Sequence, residues 1–252
     1  MNKITTTSAL HADLVEMRRD LAASFRWFAR LGMHESVANH FSLAVGEGGE
    51  SFLMNPRGIH FSRVKASDLL LLDAHDQTAL AKDSAPDPTA WFIHSAIHRR
   101  LPQARCVMHL HPKYATALAA LADSTMLPVD QNTMRFFNRV AIDDGFGGMA
   151  LSSQEGERLA NLLGAKSVLL MGSHGVLIAA PTVAEAFDTM YYYERACETL
   201  ITAMSSGRPL RVASDAVAEQ TAREWEDYGQ LSVDHLREVK AILDATEPDY
   251  CD

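Results

Sequence analysis

The run Cys106-Val107-Met108-His109-Leu110-His111 is the stretch of this 252-residue chain that decides its fold. Apolar residues lead into it, and an Ala/Leu-rich stretch with helical character, residues 114–121, follows it, so the run is typical of a buried strand that ends at a turn. Side chains alternate across a strand, so residues two apart point to the same side. We therefore expect the imidazoles of His109 and His111 to lie side by side at the strand end.

A third histidine stands in a similar place downstream, in Leu169-Leu170-Met171-Gly172-Ser173-His174-Gly175, where another apolar run meets a turn. Three neutral imidazoles leave a coordination position open, which is how catalytic rather than structural metal sites are built. The three histidines therefore predict a divalent-metal centre that polarises a substrate oxygen.

Composition excludes several classes of protein. Hydrophobic residues make up 47% of the chain, enough for a substantial core, yet no apolar run approaches the roughly 18 residues that span a membrane. The start, Met1–Thr7, lacks the apolar segment of a secretory signal. The net charge of −9 with no basic cluster argues against nucleic-acid binding. Three widely spaced cysteines indicate no disulfide framework, so we expect a cytoplasmic protein.

Helical and strand-like periodicities alternate along the chain without an evident linker, which predicts an α/β fold. We expect strands at residues 40–45, 51–55, 69–72, 106–111, 140–143, 167–171 and 176–180, the first two forming a hairpin around Gly46-Glu47-Gly48-Gly49. We expect helices at residues 14–31, closed by Gly32, and at 114–121, 153–163, 182–205, 214–228 and 232–245. A further helix is expected to begin at a cap formed by Asp87 or Thr89 and to run to about residue 100. The interpretation is one domain, residues 1–252, with a helical C-terminal tail from about residue 210.

Four motifs in order resemble the class II aldolase/adducin family. They are Asn39-His40-Phe41-Ser42, Asn55-Pro56-Arg57-Gly58, Phe92-Ile93-His94 followed by His109-Leu110-His111, and Met171-Gly172-Ser173-His174-Gly175. The resemblance runs from about Leu14 to Pro209. It implies a three-layer α/β/α fold around a central sheet, assembled as a homotetramer. It also implies that His109, His111 and His174 bind zinc or another divalent metal, with manganese and iron as alternatives.

One departure from the family concerns the acid/base residue. Family aldolases carry a glutamate nineteen positions before the first histidine of the H-x-H pair, and here that position is Ala90. An alanine cannot move a proton, so the usual aldolase role has no occupant. The phosphate-binding serines of sugar-phosphate aldolases fall on Pro88 and Thr89, which leaves one hydroxyl. The adducin-like branch also lacks the glutamate and shares the run His94-Ser95-Ala96-Ile97.

Other residues are candidates for the missing roles. We take Asp130, His60 and His40 as candidate proton-transfer groups, since Asp130 lies on a segment where family aldolases place a catalytic residue from a neighbouring subunit. Candidate substrate-binding residues are Arg57, Gly58, Thr89 and His94. Arg57 can pair with a carboxylate through two hydrogen bonds. The alternatives stay open: Asp130 can equally cap a turn, and Arg57 can be a surface charge. His94 and His98 are four apart on a helix and could chelate a metal themselves. We expect instead that His94 packs near the site without ligating and that His98 lies at the surface.

Three function classes follow. The first is a metal-dependent lyase that cleaves or decarboxylates a small hydroxy- or keto-acid or a sugar-derived substrate. The second is a non-catalytic adducin-like binding module. The third is an Fe(II)-dependent oxygenase, because three histidines with open positions also suit iron. The expected partners are a small-molecule substrate and further copies of the chain, with neither nucleic acid nor membrane.

Overall fold

The computed structural model describes the backbone of residues 3–46 and 48–252 and the side chains of residues 13–46 and 48–252. Seven strands form one mixed sheet. They are β1 (His40–Val45), β2 (Ser51–Met54), β3 (Leu70–Asp73), β4 (Cys106–Leu110), β5 (Val140–Asp143), β6 (Val168–Met171) and β7 (Gly175–Ala180). Their spatial order is β3-β2-β1-β4-β7-β6-β5, and only the β5–β6 pair is parallel. The H-x-H strand β4 is therefore the central strand.

Helices cover both faces of the sheet. The described α-helices are α1 (Lys3–Arg30), α2 (Pro88–Arg100), α3 (Lys113–Ala119), α4 (Gln131–Met134), α5 (Ser153–Leu163), α6 (Val183–Ser205), α7 (Asp215–Asp227) and α8 (Gln230–Thr246). Helices α1, α3, α6 and α8 bury one apolar core against the sheet, and α2 with α5 buries a second core on the opposite face. The predicted three-layer α/β/α architecture is confirmed. Among the described residues, no helix has both the length and the apolarity to cross a membrane.

The pleat of β1 assigns its side chains to two different layers. Phe41 and Leu43 join the core beneath α1, while His40 and Ser42 lie on the opposite face, where they contact α2. Strand alternation makes this division unavoidable, because successive side chains point to opposite faces. A set of buried polar side chains is thereby placed between the sheet and α2.

Most predicted elements are close to those observed. The ends of β1, β5 and α5 match, and Gly32 closes α1 with a φ of 64°. There the amide of Met33 donates to the carbonyl of Phe28, five residues earlier, which is the hydrogen bond of a Schellman motif. The four-residue helix α4 and the 3₁₀ turns (Phe61–Arg63, Ala66–Asp68, Gln77–Ala81 and Pro248–Cys251) were missed, because segments this short carry no measurable periodicity.

The predicted hairpin is present, with Val45 opposite Ser51, although Glu47 of its turn lies outside the described residues. In the predicted C-terminal tail, α8 packs against α1 and α6. The description of the chain as one domain with a tail stays a prediction.

Candidate metal centre

Sheet topology brings the three predicted histidines together. Strand β4 pairs antiparallel with β7, with Leu110 opposite Val176, so the residue after β4 meets the turn that precedes β7. His111 and His174 occupy those two places, and His109 lies one pleat further back on β4. One nitrogen from each ring lies within 4.8 Å of one from the others, and this is the one such group of three or more among the residues the structure describes.

The protonation of two of these rings follows from their partners. Nδ1 of His109 lies 3.0 Å from the carbonyl oxygen of Val176, and Nδ1 of His111 lies 2.5 Å from Oε2 of Glu35. A carbonyl or a carboxylate oxygen only accepts, so both Nδ1 atoms donate their hydrogen. In each neutral ring the lone pair is then on Nε2, the atom available to a metal.

This donor set fits a divalent cation. The two Nε2 atoms are 2.9 Å apart, so two lone pairs face each other unless a positive charge lies between them. Burial, assisted by the surrounding imidazoles, lowers the pKa of His109 well below its ordinary value, which disfavours a proton in that place. Hydrogen bonds from the remote ring nitrogens to Glu35 and Val176 are the arrangement by which metal-binding histidines are oriented.

Close packing at a glycine supports the position of His111. A Cβ atom on Gly175 would lie 2.6 Å from Cδ2 of the His111 ring and 2.6 Å from the carbonyl oxygen of Leu110. Only glycine therefore lets the turn carrying His174 approach the end of β4. Burial, and next the electrostatic effect of the neighbouring His111 imidazole, lower the pKa of His174 to about 4.

His40 stands beside the three-histidine group. It is paired across the sheet with His109, and their ring centroids are 4.9 Å apart, but its nitrogens do not belong to the group. Its Nδ1 lies 2.8 Å from Nε2 of His94 on α2. Burial lowers the pKa of His40 to about 3, against an opposing effect of the Asp87 carboxylate.

The contacts of His94 continue away from the site. Its Nδ1 lies 2.5 Å from Oγ of Ser42, which lies 2.7 Å from Nε2 of His98, and Nδ1 of His98 lies 2.9 Å from the carbonyl oxygen of Ala104. The expectation of a surface position for His98 is wrong, since its side chain is 2% exposed. Helix α2 turns this residue toward β1, one turn after His94, instead of toward solvent.

The two other candidate proton-transfer residues have local structural contacts. The carboxylate of Asp130 accepts a hydrogen bond from the amide of Thr133, and the hydroxyl oxygen of Thr133 accepts one from the amide of Asp130. Together these two hydrogen bonds cap α4. His60 is exposed; its Nδ1 accepts from the amide of Ser62, and its Nε2 lies 2.7 Å from Nε2 of His34. Neither residue belongs to the three-histidine group.

The candidate substrate-binding residues occupy different surroundings. Arg57 and Gly58 are exposed in the loop after β2, where the Arg57 amide donates to the carbonyl of Ala85. The hydroxyl and the amide of Thr89 donate to Asp87, the residue that caps α2. Ala90 is fully buried in an apolar cluster. This cluster also contains Phe52, Met54, Leu72 and Trp91.

Sequence analysis missed Glu35, Ser42 and His98. Glu35 stands 76 positions before its partner His111, and no local pattern joins the two. A signal did exist for the other two: Ser42 alternates with His40 on a strand, and His98 follows His94 by one helical turn, so each pair shares a face. What the patterns could not show is that these two faces meet.

Comparison with known proteins identifies the family of this chain. Residues 19–201 match the family model described as Class II Aldolase and Adducin N-terminal domain. The chain is 28% identical to the decarboxylase NovR of Streptomyces niveus, over 89% of this chain and 85% of that protein. It is 27% identical to the 4-hydroxy-3-prenylphenylpyruvate oxygenase/4-hydroxy-3-prenylbenzoate synthase of Streptomyces roseochromogenus subsp. oscitans, over 89% of this chain and 83% of that protein.

A solved structure supports the same assignment. The aldolase II superfamily protein from Pseudomonas syringae superposes with a TM-score of 0.85 and 30% sequence identity, covering 94% of this chain and 96% of that one. This protein therefore belongs to the class II aldolase and adducin family, a family that includes aldolases and decarboxylases.

Proposed function

We propose that this protein is a metal-dependent lyase that cleaves or decarboxylates a small hydroxy- or keto-acid or a related sugar-derived compound. The observation that carries the proposal is the convergence of His109, His111 and His174, with two Nε2 lone pairs 2.9 Å apart. A divalent ion held by these nitrogens, zinc first with manganese or iron as alternatives, would act as a Lewis acid on a substrate oxygen as a carbon–carbon bond breaks.

Within this class, the alanine at position 90 favours decarboxylation over retro-aldol cleavage. Retro-aldol cleavage needs a base that removes the hydroxyl proton, and Ala90 cannot supply one. Decarboxylation needs an electron sink and a later proton donor. The name of the decarboxylase relative agrees with this preference, and the arylpyruvate in the name of the other relative supports a 2-keto acid as substrate class.

Residues around the metal centre would then supply proton transfer and substrate binding. We assign proton handling to His40, which adjoins His109 without joining the three-nitrogen group. Arg57, exposed beside Gly58, is assigned to the substrate carboxylate. The half-buried Thr89 hydroxyl, whose hydrogen goes to Asp87, is assigned to accept a hydrogen bond from a substrate hydroxyl. His94 is assigned a supporting role through His40. Asp130 and His60 are assigned to capping, in agreement with their hydrogen bonds.

An Fe(II)-dependent oxygenase is the second candidate. The relative whose name contains an oxygenase activity favours it, and three histidine ligands with open positions suit ferrous iron. The same residues would hold the metal in both cases. The two candidates differ in the metal that supports turnover and in whether dioxygen is consumed.

The deciding experiment loads the purified protein separately with zinc, manganese and ferrous iron. Each form is incubated with a panel of 2-keto and 2-hydroxy acids while carbon dioxide, carbonyl products and dissolved oxygen are followed. Metal-dependent product formation without oxygen uptake is expected for the lyase. Oxygen uptake confined to the iron form would replace the lyase with the oxygenase. Stoichiometric metal without turnover in any form would favour the adducin-like binding module.

Matched variants make the test specific. His109→Ala should abolish stoichiometric metal binding and turnover, because it removes a buried ligand nitrogen. His75→Ala removes an exposed histidine outside the cluster and should change neither property. Full metal retention by His109→Ala would contradict the assignment of the ligands.

We further propose a cytoplasmic homotetramer, from the resemblance to family members. Static light scattering of the metal-loaded protein tests the assembly, and a monomer at micromolar concentration would contradict it.

A further inference from the structure

A row of buried polar side chains crosses the layer between the sheet and α2, and the function proposed above gives roles only to its first two members. In order from the metal centre, the row is His40, His94, Ser42 and His98, and it ends on the carbonyl oxygen of Ala104. All four side chains are at most 3% exposed. Each contact is 2.5 to 2.9 Å long, so each must have one donor and one acceptor.

The carbonyl at the far end of the row determines which group donates and which accepts in each of its hydrogen bonds. The oxygen of Ala104 can only accept, so Nδ1 of His98 donates to it. Burial lowers the pKa of His98 to about 4, so its ring is neutral near pH 7 and its Nε2 carries a lone pair. The hydroxyl of Ser42 therefore donates to Nε2 of His98.

The donor and acceptor in each remaining hydrogen bond, up to His40 beside the metal centre, then follow in turn. Ser42 has a single hydrogen, already given to His98, so its oxygen must accept from Nδ1 of His94. Burial also lowers the pKa of His94 well below its ordinary value, which leaves Nε2 of this neutral ring as an acceptor. Nδ1 of His40 consequently donates to His94, and the lone pair of His40 stands on Nε2.

The reverse arrangement fails at one identifiable contact. If every hydrogen bond were inverted, Nδ1 of His98 would turn a lone pair toward the lone pairs of the Ala104 oxygen 2.9 Å away. No inversion of a neighbouring group relieves that contact, because a backbone carbonyl has no hydrogen to donate. One direction of the row is therefore strongly preferred.

We propose that Ser42, His94 and His98 are positioning residues that hold His40 as the Nδ1–H tautomer and keep its Nε2 lone pair available as a hydrogen-bond acceptor beside the three-histidine centre. The tautomer assignment rests on the contacts of the row and on the neutral rings of His94 and His98, and it does not depend on the proposed function. Its use in turnover, accepting a hydrogen bond from the water or substrate hydroxyl whose proton moves, rests on the proposed function. Among the residues that the structure describes, the His40 ring makes its side-chain hydrogen bond through Nδ1 and none through Nε2, so the Nε2 lone pair has no competing donor there.

The tautomers can be measured without any substrate. Long-range ¹H–¹⁵N correlation spectra of the zinc-loaded, ¹⁵N-histidine-labelled protein separate Nδ1–H, Nε2–H and doubly protonated rings. His40→Gln, His94→Gln and His98→Gln spectra identify the three signals among the eleven histidines. All three rings are expected as Nδ1–H tautomers, and an Nε2–H tautomer at His40 in the wild-type protein would overturn the proposal.

A pair of isosteric variants tests the role of Ser42. Ser42→Thr keeps the hydroxyl and Ser42→Val replaces it with a methyl group, so both add the same bulk to a fully buried position. Ser42→Thr should retain the wild-type tautomers. Ser42→Val should give a mixture at His40, and identical spectra for the two variants would contradict the positioning role.

Turnover adds a readout that metal content does not share. In an active protein, Ser42→Val should lower kcat about two- to tenfold relative to Ser42→Thr, because the rate follows the fraction of molecules in the competent tautomer. KM and the zinc-to-chain ratio should be equal in the two variants. If no substrate is turned over, the proposed function fails while the tautomer measurement still decides this inference. If turnover is found but His40 is the Nε2–H tautomer, this inference fails alone.

Discussion

The carboxylate of Glu35, in the loop after α1, lies 2.5 Å from Nδ1 of His111, although 76 positions separate the two residues. The contact joins the loop after α1 to the end of the central strand β4. Because the carboxylate can only accept, it determines which nitrogen of His111 faces His109 and His174. A residue with no place in the H-x-H motif thus sets the orientation of one of its members.

Removal of this carboxylate should weaken metal binding without removing a ligand. For Glu35→Ala we expect a zinc affinity about 10- to 100-fold lower, the usual effect of losing an outer partner of a metal-bound histidine. Glu35→Gln, which keeps an acceptor but not the charge, should fall between. Competition with a chromophoric chelator measures the affinities. Glu50→Ala, at another exposed glutamate, is the control, and an equal change in both alanine variants would refute the role of Glu35.

The turn before β7 offers a steric test of the same centre. Gly175→Ala would place a methyl group 2.6 Å from the His111 ring, so the ring or the turn must move. We expect zinc affinity to fall about tenfold or more, a loss comparable to that of an outer-shell partner. Gly147→Ala is the matched control, because its Cβ meets open space in the neighbouring loop. Unchanged zinc affinity in Gly175→Ala would mean that the turn adapts.

The apolar surroundings of Ala90 predict that a charged side chain at this position destabilises the folded protein. Ala90→Glu would put a carboxylate among Phe52, Met54 and Trp91, and an ionised group there loses several kcal/mol of hydration, of which little is recovered. The pKa of that carboxyl is raised in the folded state, so its destabilisation begins as the pH rises above about 4.3, the ordinary value, and grows until the folded pKa is passed.

The variant Ala90→Gln, whose side chain has the same size as that of Ala90→Glu, separates the effect of charge from the effect of bulk. Urea unfolding should show Ala90→Glu less stable than Ala90→Gln by about 2 kcal/mol or more at pH 8, with the two converging near pH 4. Equal stability of the two variants at pH 8 would show that position 90 reaches solvent or a positive charge. In that case a glutamate there could take part in proton transfer.

Burial of His98 predicts a pH dependence of stability. Its pKa is lowered to about 4 in the folded protein, against about 6.5 when unfolded, so between these values the unfolded state binds more protons. The stabilisation is therefore complete above pH 6.5 and is lost as the pH falls toward 4, by at most about 1.4 kcal/mol per pH unit.

His98→Asn isolates this contribution. Asparagine keeps a donor for the Ala104 carbonyl but does not titrate. The metal-free forms of both proteins are compared by urea unfolding at several pH values between 4 and 7.5, so that metal release does not enter. Acidification should destabilise the wild-type protein more than the variant. Parallel pH profiles would show that His98 is not buried as a neutral ring.

Regular elements of this fold were predictable because their signals are local. The β1 strand, the helix α5 and the Gly32 end of α1 follow from residue spacing and from glycine's tolerance of positive φ. The same holds for His109 and His111, whose common side follows from strand alternation. The short helix α4 escaped prediction because four residues hold barely one turn.

By itself, the sequence determined the α/β character of the chain, the pairing of His109 with His111, and the family to which it belongs. Tertiary structure decided which residues surround them: Glu35 on one side, the row from His40 to His98 on the other, and Ala90 in an apolar cluster. The physical reason is the range of the interactions. Periodicity records which face of an element a residue occupies, whereas strand order and register decide which faces meet, and these depend on pairings between segments far apart in the chain.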